Sequence, residues 1–260
     1  MRRALIASWG LFASVACGAE LRLGATHTLE DSGVLAVIVP AFEAHSGVKV
    51  KAIVAGTGQV MKYAENGDVD IVFTHSRADE EKLIARGIGG ARVDVMYNDF
   101  VIAGPAADPA RVRGLRDAAA ALVRIRESGA KFTSRGDDSG THKKELQLWS
   151  AGGGLKPWPG YLSSGQGAGR TLMMAYELDA YDLVDRATLR QLSRKHPLTI
   201  LVEGDQRLLN EYGVTTLRPA AGRTVNERDA EKFAAWIVSD AAKRLIAGYR
   251  IDGEAAFKLR

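Results

Sequence analysis

Between Phe132 and Glu145 the chain reads FTSRGDDSGTHKKE, and the residue types in that run are those of an oxyanion site. A short β-prone stretch ends at Arg135. A turn then gathers Gly136, Asp137, Asp138, Ser139, Gly140 and Thr141 before His142 and Lys143 open a helix. The hydroxyls of Ser139 and Thr141 can donate hydrogen bonds, the glycines let backbone N–H groups approach a guest, and the start of a helix carries partial positive charge. Arg135 adds a permanent cation whose planar fork of donors suits an oxyanion. The same Asp-Ser-Gly-Thr run is also what an ordinary N-cap looks like, so the rest of the chain must supply the other half of any site.

Three successive units supply it. Leu21 to Thr26 is apolar enough for a strand, passes through a polar loop from His27 to Gly33, and is followed by helical spacing from Val34 to His45. Val48 to Val54 alternates as a strand and leads through Ala55 to Gln59 into a helix ending near Asn66. Val69 to Phe73 leads through Thr74 to Ser76 into a charged helix over 78–86. Repeated strand, loop and helix predict a parallel sheet flanked by helices, and right-handed crossovers put all three loops at the carboxyl edge, where open α/β sheets bind ligands. Those loops offer Thr26, Thr28, Thr57 and Ser76. Any one of them alone reads as an N-cap; the repetition points to a shared site.

The remaining pattern describes a second lobe and a return. Val93 to Gly104 is β-prone with polar Asn98 and Asp99 in its middle, a place for the chain to cross. Arg116 to Ser128 reads as a helix, Ala130 to Ser134 as the strand entering the oxyanion turn, and Gly152 to Gly154 as a helix stop. The GQGAG run at Gly165 to Gly169, before a helix from Arg170 to Leu178, has no acidic partner in a strand–loop–helix unit and is not a dinucleotide fingerprint. Tyr181 to Val184 and Leu198 to Val202 are short strands, Tyr212 to Leu217 is a return crossing, and two closing helices over 226–239 and 241–249 pack back on the first lobe. The expected fold is α/β and two-lobed, each lobe a mainly parallel sheet flanked by helices, with two hinge crossings: residues 20–97 and 213–260 form lobe I, and 98–212 form lobe II.

Composition bounds the partners. The 260 residues are 46% hydrophobic and 25% charged, a globular profile, and the +4 net charge is scattered, with no basic block interleaved with aromatics to engage nucleic acid. Residues 1–19 read as a secretory leader: Met1-Arg2-Arg3, an apolar run from Ala4 to Val15, then small residues to Ala19. Its removal takes two arginines and leaves a nearly balanced protein. Cys17 is the only cysteine, so the exported chain has no internal disulfide; lipidation at Cys17 is the lesser alternative to cleavage.

Taken together, LGATHTLEDSG, VAGTGQ, VMYNDFVIAGP, SRGDDSGTHKKELQLW and MAYELDAYDLVDRATL resemble the extracytoplasmic tungstate-binding proteins of ABC importers, within the type II periplasmic binding-protein superfamily. The resemblance implies a periplasmic monomer that holds tungstate, or molybdate, between its lobes and hands it to an inner-membrane permease. It uses no cofactor and catalyses no reaction. It points to Arg135 and Thr141 on lobe II and to the Thr26–Thr28 loop on lobe I. In that loop Ala25 and Leu29 replace hydroxylic residues and His27 interrupts the run, making His27 a further candidate donor. Sulfate and phosphate are the alternative guests. Phosphate keeps a proton and needs an acceptor, a role for which Asp137 and Asp138 are present, although capping their own turn or bracing Arg135 is the expected use. A secreted hydrolase is the reading from another class. Ser139 and His142 with adjacent aspartates have the residue types of a triad, but triad members come from separate segments and no G-x-S-x-G elbow occurs. His45, His75 and His196 lack metal-ligand spacing.

Overall fold

The structure, a computed structural model, describes residues 20–192, 194–195 and 197–259. The leader, Cys17 and His196 lie outside the described residues. The first unit is β1 (Leu21–Thr26), α1 (His27–Asp31) and α2 (Leu35–Ser46). It is followed by β2 (Val50–Ala55), α3 (Thr57–Asn66), β3 (Ile71–Thr74), α4 (Arg77–Ala85) and the long β4 (Gly89–Gly104). Next come α5 (Ala118–Glu127), β5 (Phe132–Ser134), α6 (Gly140–Ala151), β6 (Tyr161–Ser163), α7 (Ala168–Glu177), β7 (Tyr181–Asp185), α8 (Arg186–Leu192) and β8 (Thr199–Val202). The chain closes with β9 (Leu209–Leu217), α9 (Glu227–Ile237), α10 (Asp240–Gly248), a two-strand hairpin of β10 (Arg250–Ile251) and β11 (Glu254–Ala255), and β12 (Lys258–Leu259).

The strands run β2-β1-β3-β9-β4-β7-β5-β6. At one end β1 pairs in parallel with β2 and β3; at the other, β5 pairs in parallel with β6 and β7. Between these parallel blocks β9 and β4 are antiparallel to their neighbours, so each sheet is mixed, its parallel part carrying the loops of interest. Up to Asp99, β4 pairs with β9; from Phe100 onward it pairs with β7 and β8. That exchange of partners is where the chain crosses, beside the Asn98–Asp99 pair that interrupts the apolar pattern, and Leu209–Asn210 is the return.

Both faces of each sheet are covered. One face of the first sheet packs Leu21, Leu23, Phe42 and Phe73 with Phe233, Trp236, Ile246 and Phe257, so the C-terminal helices complete that core. The other buries Val60, Met61, Val72, Leu83 and Leu217. The second sheet has Phe100, Leu122, Phe132, Trp149 and Tyr181 on one side and Val101, Leu172, Val184 and Leu189 on the other. Several segments differ from the sequence expectation, among them the strand at Tyr161–Ser163, the C-terminal hairpin and the start of β9 at Leu209 rather than Tyr212. His27–Asp31 is a helical turn because Leu29 is pulled into the core, and Arg186–Leu192 is a helix because Asp185 caps it, its Oδ1 accepting from Ala187 N (2.9 Å) and Thr188 N (3.1 Å).

The crossings are tied together by a buried polar knot. Asn210 Nδ2 donates to Asn98 Oδ1 (3.0 Å) and Asp185 Oδ2 (2.8 Å), and Tyr212 OH donates to Asp185 Oδ2 (2.7 Å). Burial pushes the Asp185 carboxyl above its ordinary range against the pull of these donors. Arg186 braces the outside, meeting Asp99 with Nε and Nη2 at 2.6 Å each and Glu203 at 2.6 Å.

Candidate functional site

The turn after β5 is shaped by two unusual backbone positions. Gly136 has φ +57°, and a Cβ there would sit 1.8 Å from Ser163 Oγ, so only glycine fits. Asp138 also lies in the left-handed region at φ 57°. Together they swing the chain so that Asp137 curls back: its Oδ1 accepts from Ser139 N (3.1 Å) while its Oδ2 accepts from Arg135 Nε (3.2 Å) and Nη2 (2.5 Å). Arg135 Nε also donates to Gln166 O (2.7 Å). Burial acts to raise the Asp137 carboxyl, but the Arg135 charge and the Ser139 and Arg135 hydrogen bonds outweigh it and hold the group below its usual range. Asp137 is thus a charged brace on one edge of the guanidinium. Arg135 itself is only 3% exposed, and among the described residues its Nη1 makes no hydrogen bond.

Behind the turn, Glu145 fixes β5 to α6, accepting from Ser134 Oγ (2.6 Å), Trp149 Nε1 (3.0 Å) and Tyr161 OH (2.8 Å). The N-terminus of α6 then points out of lobe II toward the first lobe. Ser139 caps it, its Oγ accepting from His142 N (3.3 Å). The Thr141 hydroxyl, one residue inside the helix, is buried without a hydrogen-bond partner. Gly140 N donates to Thr57 Oγ1 at 3.0 Å, so the first turns of α6 and α3 meet across the two lobes. Two positive helix ends and a guanidinium therefore converge on one place, an arrangement that calls for an anion.

The loop after β1 completes the ring. Thr26 Oγ1 and Thr28 Oγ1 are 2.9 Å apart, and Thr28 Oγ1 is 2.9 Å from His75 Nε2. All three of Thr26, Thr28 and Thr57 are buried. Ser76 is turned elsewhere, its Oγ donating to Asp79 Oδ2 (2.7 Å) at the head of α4. His27 lines a cleft of about 510 Å³ with Glu30, Gln59, Gln166 and Arg170, which reaches Gly56 and Asp137 at the edge of the site; its ring packs on Gly167 and its Nδ1 lies 3.8 Å from Glu30. The structure therefore gathers Thr26, Thr28, Thr57, Arg135, Ser139 and Thr141 and sends Ser76 and His27 outward. It adds His75, whose type and position the sequence shows but whose neighbours it does not. Burial and the nearby Arg135 charge hold His75 down to about 3, so the ring is neutral.

Further contacts close the lobes on one another. Gly169 N, in the first turn of α7, donates to Asp31 Oδ2 (2.8 Å), and Lys143 Nζ meets Asp79 Oδ2 (2.6 Å). The Ser139–His142 pair does not form a relay, because Ser139 Oγ accepts from the backbone of His142 while His142 Nδ1 accepts from Asp138 N (3.2 Å). Among the described residues no cluster of three metal-ligating side chains occurs, and no helix is long and apolar enough to cross a membrane.

Known proteins share this architecture. The PBP superfamily domain matches residues 13–241. The tungstate-binding protein TupA of Peptoclostridium acidaminophilum is 42% identical over 229 residues, covering 87% of this chain and 80% of the relative. The crystal structure of the tungstate ABC transporter from Geobacter sulfurreducens superposes with a TM-score of 0.81 at 42% identity, covering 88% of this chain and 98% of that one. The tungstate-binding protein TupA from Desulfovibrio alaskensis G20 superposes with a TM-score of 0.78 at 39% identity, covering 93% and 99%.

Proposed function

The chain belongs to the PBP superfamily and, within it, to the tungstate-binding proteins of ABC importers, and from that premise we propose that it captures tungstate in the periplasm and delivers it to a permease. It is a transport binding protein, not an enzyme. The guest sits between lobe I and lobe II, which exchange the chain beside Asn98–Asp99 and again beside Leu209–Asn210, as a transported ligand rather than a cofactor. The ligand set is Arg135 and Thr141, by its hydroxyl and its backbone N–H, from lobe II, with Thr57 and the Thr26–Thr28 pair from lobe I. Ser139 acts through its cap and Ser76 through α4.

The observation that carries this reading is the meeting of the α3 and α6 N-termini at 3.0 Å beside the braced Arg135. Tungstate is a tetrahedral dianion that needs donors all round and no acceptor aimed inward. Arg135 offsets part of its charge, and the two helix ends offset more. Asp137, the carboxylate on the edge of Arg135, already accepts three hydrogen bonds from Arg135 and Ser139, so it is occupied as a brace and is a poor acceptor for a protonated guest such as hydrogen phosphate. That favours a fully deprotonated anion. Closure follows from the same geometry, since Gly140–Thr57, Gly169–Asp31 and Lys143–Asp79 each join one lobe to the other.

The test is calorimetric titration of the purified protein with tungstate, molybdate, sulfate and phosphate, singly and in competition. Tungstate binding tightest, with molybdate next, is the expected order. Phosphate or sulfate displacing tungstate at equal concentration overturns the assignment.

A further inference from the structure

The GQGAG run is not a dinucleotide loop, and what lies opposite its glycines gives it a different use. Gly165 has φ +63° with open space where a Cβ would go, so glycine there serves the turn. Gly167 has an ordinary φ of −62° and Gly169 lies within α7, so neither needs glycine for its backbone. They need it for room. A Cβ on Gly167 would stand 3.1 Å from His27 Cγ, and one on Gly169 would stand 3.3 Å from Asp31 Cγ and Oδ1 and 3.2 Å from Leu192 Cδ1. His27 and Asp31 both belong to α1, on the other lobe.

The helix that follows these glycines has no cap of its own. α5, α6, α9 and α10 each start behind a side chain that accepts from their first turn: Asp117, Ser139, Asn226 and Ser239. α7 starts behind Gly167, which has none to offer. Its acceptor comes from lobe I instead, where Asp31 Oδ2 takes the Gly169 N–H at 2.8 Å and sets a carboxylate at the positive end of α7. The bond spans 138 positions of chain and exists only while the lobes are shut. α1 is held rigidly enough to carry it, because Leu29 is buried in the core and Ser32 Oγ donates to Leu29 O (3.1 Å). The same short helix holds Thr28 in the guest loop, so guest and cap are joined through one element.

We propose that α1 and the GQGAG strip form a clasp across the mouth of the cleft: Asp31 caps α7 from the opposite lobe, Gly167 and Gly169 admit α1, and this contact sets how fast the bound oxyanion leaves. The clasp lines the cleft that reaches Gly56 and Asp137, so a departing guest must first part α1 from α7. Asp31 is a positioning residue, touching α7 and not the guest. This rests on the oxyanion reading above and assigns its release step.

The experiment separates rates, with tungstate binding followed by intrinsic fluorescence in stopped flow. Asp31→Ala is expected to raise the off-rate by about 2- to 30-fold, the loss of one helix cap, with the on-rate within about twofold. Asparagine caps helices about as well as aspartate, so Asp31→Asn should stay within about threefold of wild type. Gly169→Ala should raise the off-rate without lowering the melting temperature, since alanine favours the helix, and should add nothing once residue 31 is alanine. The ratio of tungstate to molybdate affinity should be the same in every variant. An unchanged off-rate in Asp31→Ala, additive effects of the two alanine substitutions or a changed ratio overturns the inference. Hydrogen exchange gives a second readout. The Gly169 amide, in the first turn of α7, has no partner within its own helix, so it should exchange faster in Asp31→Ala than in wild type. Equal exchange overturns the clasp. Wild-type protein that ignores tungstate would unseat the ligand assignment instead, and the Gly169 amide of the free protein would still test Asp31.

Discussion

Removing Arg135 is the perturbation with the largest calculable effect. Of the five guanidinium protons, Nε spends one on Asp137 and Gln166 and Nη2 spends one on Asp137, leaving both Nη1 protons and one on Nη2 for a guest. Two hydrogen bonds to a charged acceptor, at about 1.5–3 kcal/mol each, total roughly 3–6 kcal/mol. A bare Coulomb estimate for a dianion at about 4 Å in an effective dielectric near 20 gives ~8 kcal/mol, but Asp137 sits against the same guanidinium and cancels part of it. The smaller figure governs, and Arg135→Ala is expected to raise the Kd for tungstate by roughly 10²- to 10⁴-fold. It also strips Asp137 of its partner and leaves a carboxylate facing the incoming dianion. Arg135→Ala with Asp137→Asn should therefore bind about tenfold more tightly than Arg135→Ala alone. Calorimetric titration measures both, with circular-dichroism melts to show that each variant is folded. A folded Arg135→Ala protein within tenfold of wild type refutes the reasoning.

Thr141→Val keeps the shape of a buried, partnerless hydroxyl and deletes its donor, so it should weaken tungstate by about 1–3 kcal/mol while leaving the melting temperature unchanged or higher; titration and a melt check both halves. Gly140→Ala places a methyl group 2.7 Å from His75 Cε1, so the lobes cannot meet as they do; small-angle scattering with and without tungstate should show reduced compaction, and full compaction would contradict the contact. Acid should destabilise the free protein through His75. The folded ring is held near 3 against an ordinary value of 6.5, so the unfolded chain binds that proton more readily. The stabilisation from this residue is complete above about pH 6.5 and is lost as pH falls toward 3, at most about 5 kcal/mol over the span. Urea unfolding at pH 4 to 8 should show that slope in wild type and a flatter one in His75→Gln.

Much of this was legible from local pattern. The turn after Ser134 declared itself because its glycines, hydroxyls and arginine are adjacent in the chain, and Asn98–Asp99 marked the crossing because polar residues break an apolar strand. Ser76 stands where an N-cap is expected, but its hydroxyl makes no bond to a backbone N–H: its Oγ donates to the Asp79 carboxylate, and its own N–H donates to Glu80. The short helix at His27–Asp31 was hidden by a polar composition in which Leu29 is the only apolar residue. The closing contacts were not readable at all. Asp31 and Gly169, Thr57 and Gly140, and Asp79 and Lys143 lie 138, 83 and 64 positions apart, and only the folded sheet edges bring them together. His75 belongs to the same class, since a lone histidine after a strand says nothing of Thr28 on one side and α6 on the other.

The most direct measurement is a crystal structure of the tungstate complex with data collected at a tungsten absorption edge. The anomalous peak should fall between Thr26, Thr28 and Thr57 on one side and Arg135 and the first turn of α6 on the other, with donors about 3 Å from the oxyanion oxygens. A peak in the outer cleft beside His27 and Arg170, or any position out of reach of Arg135, would contradict the account.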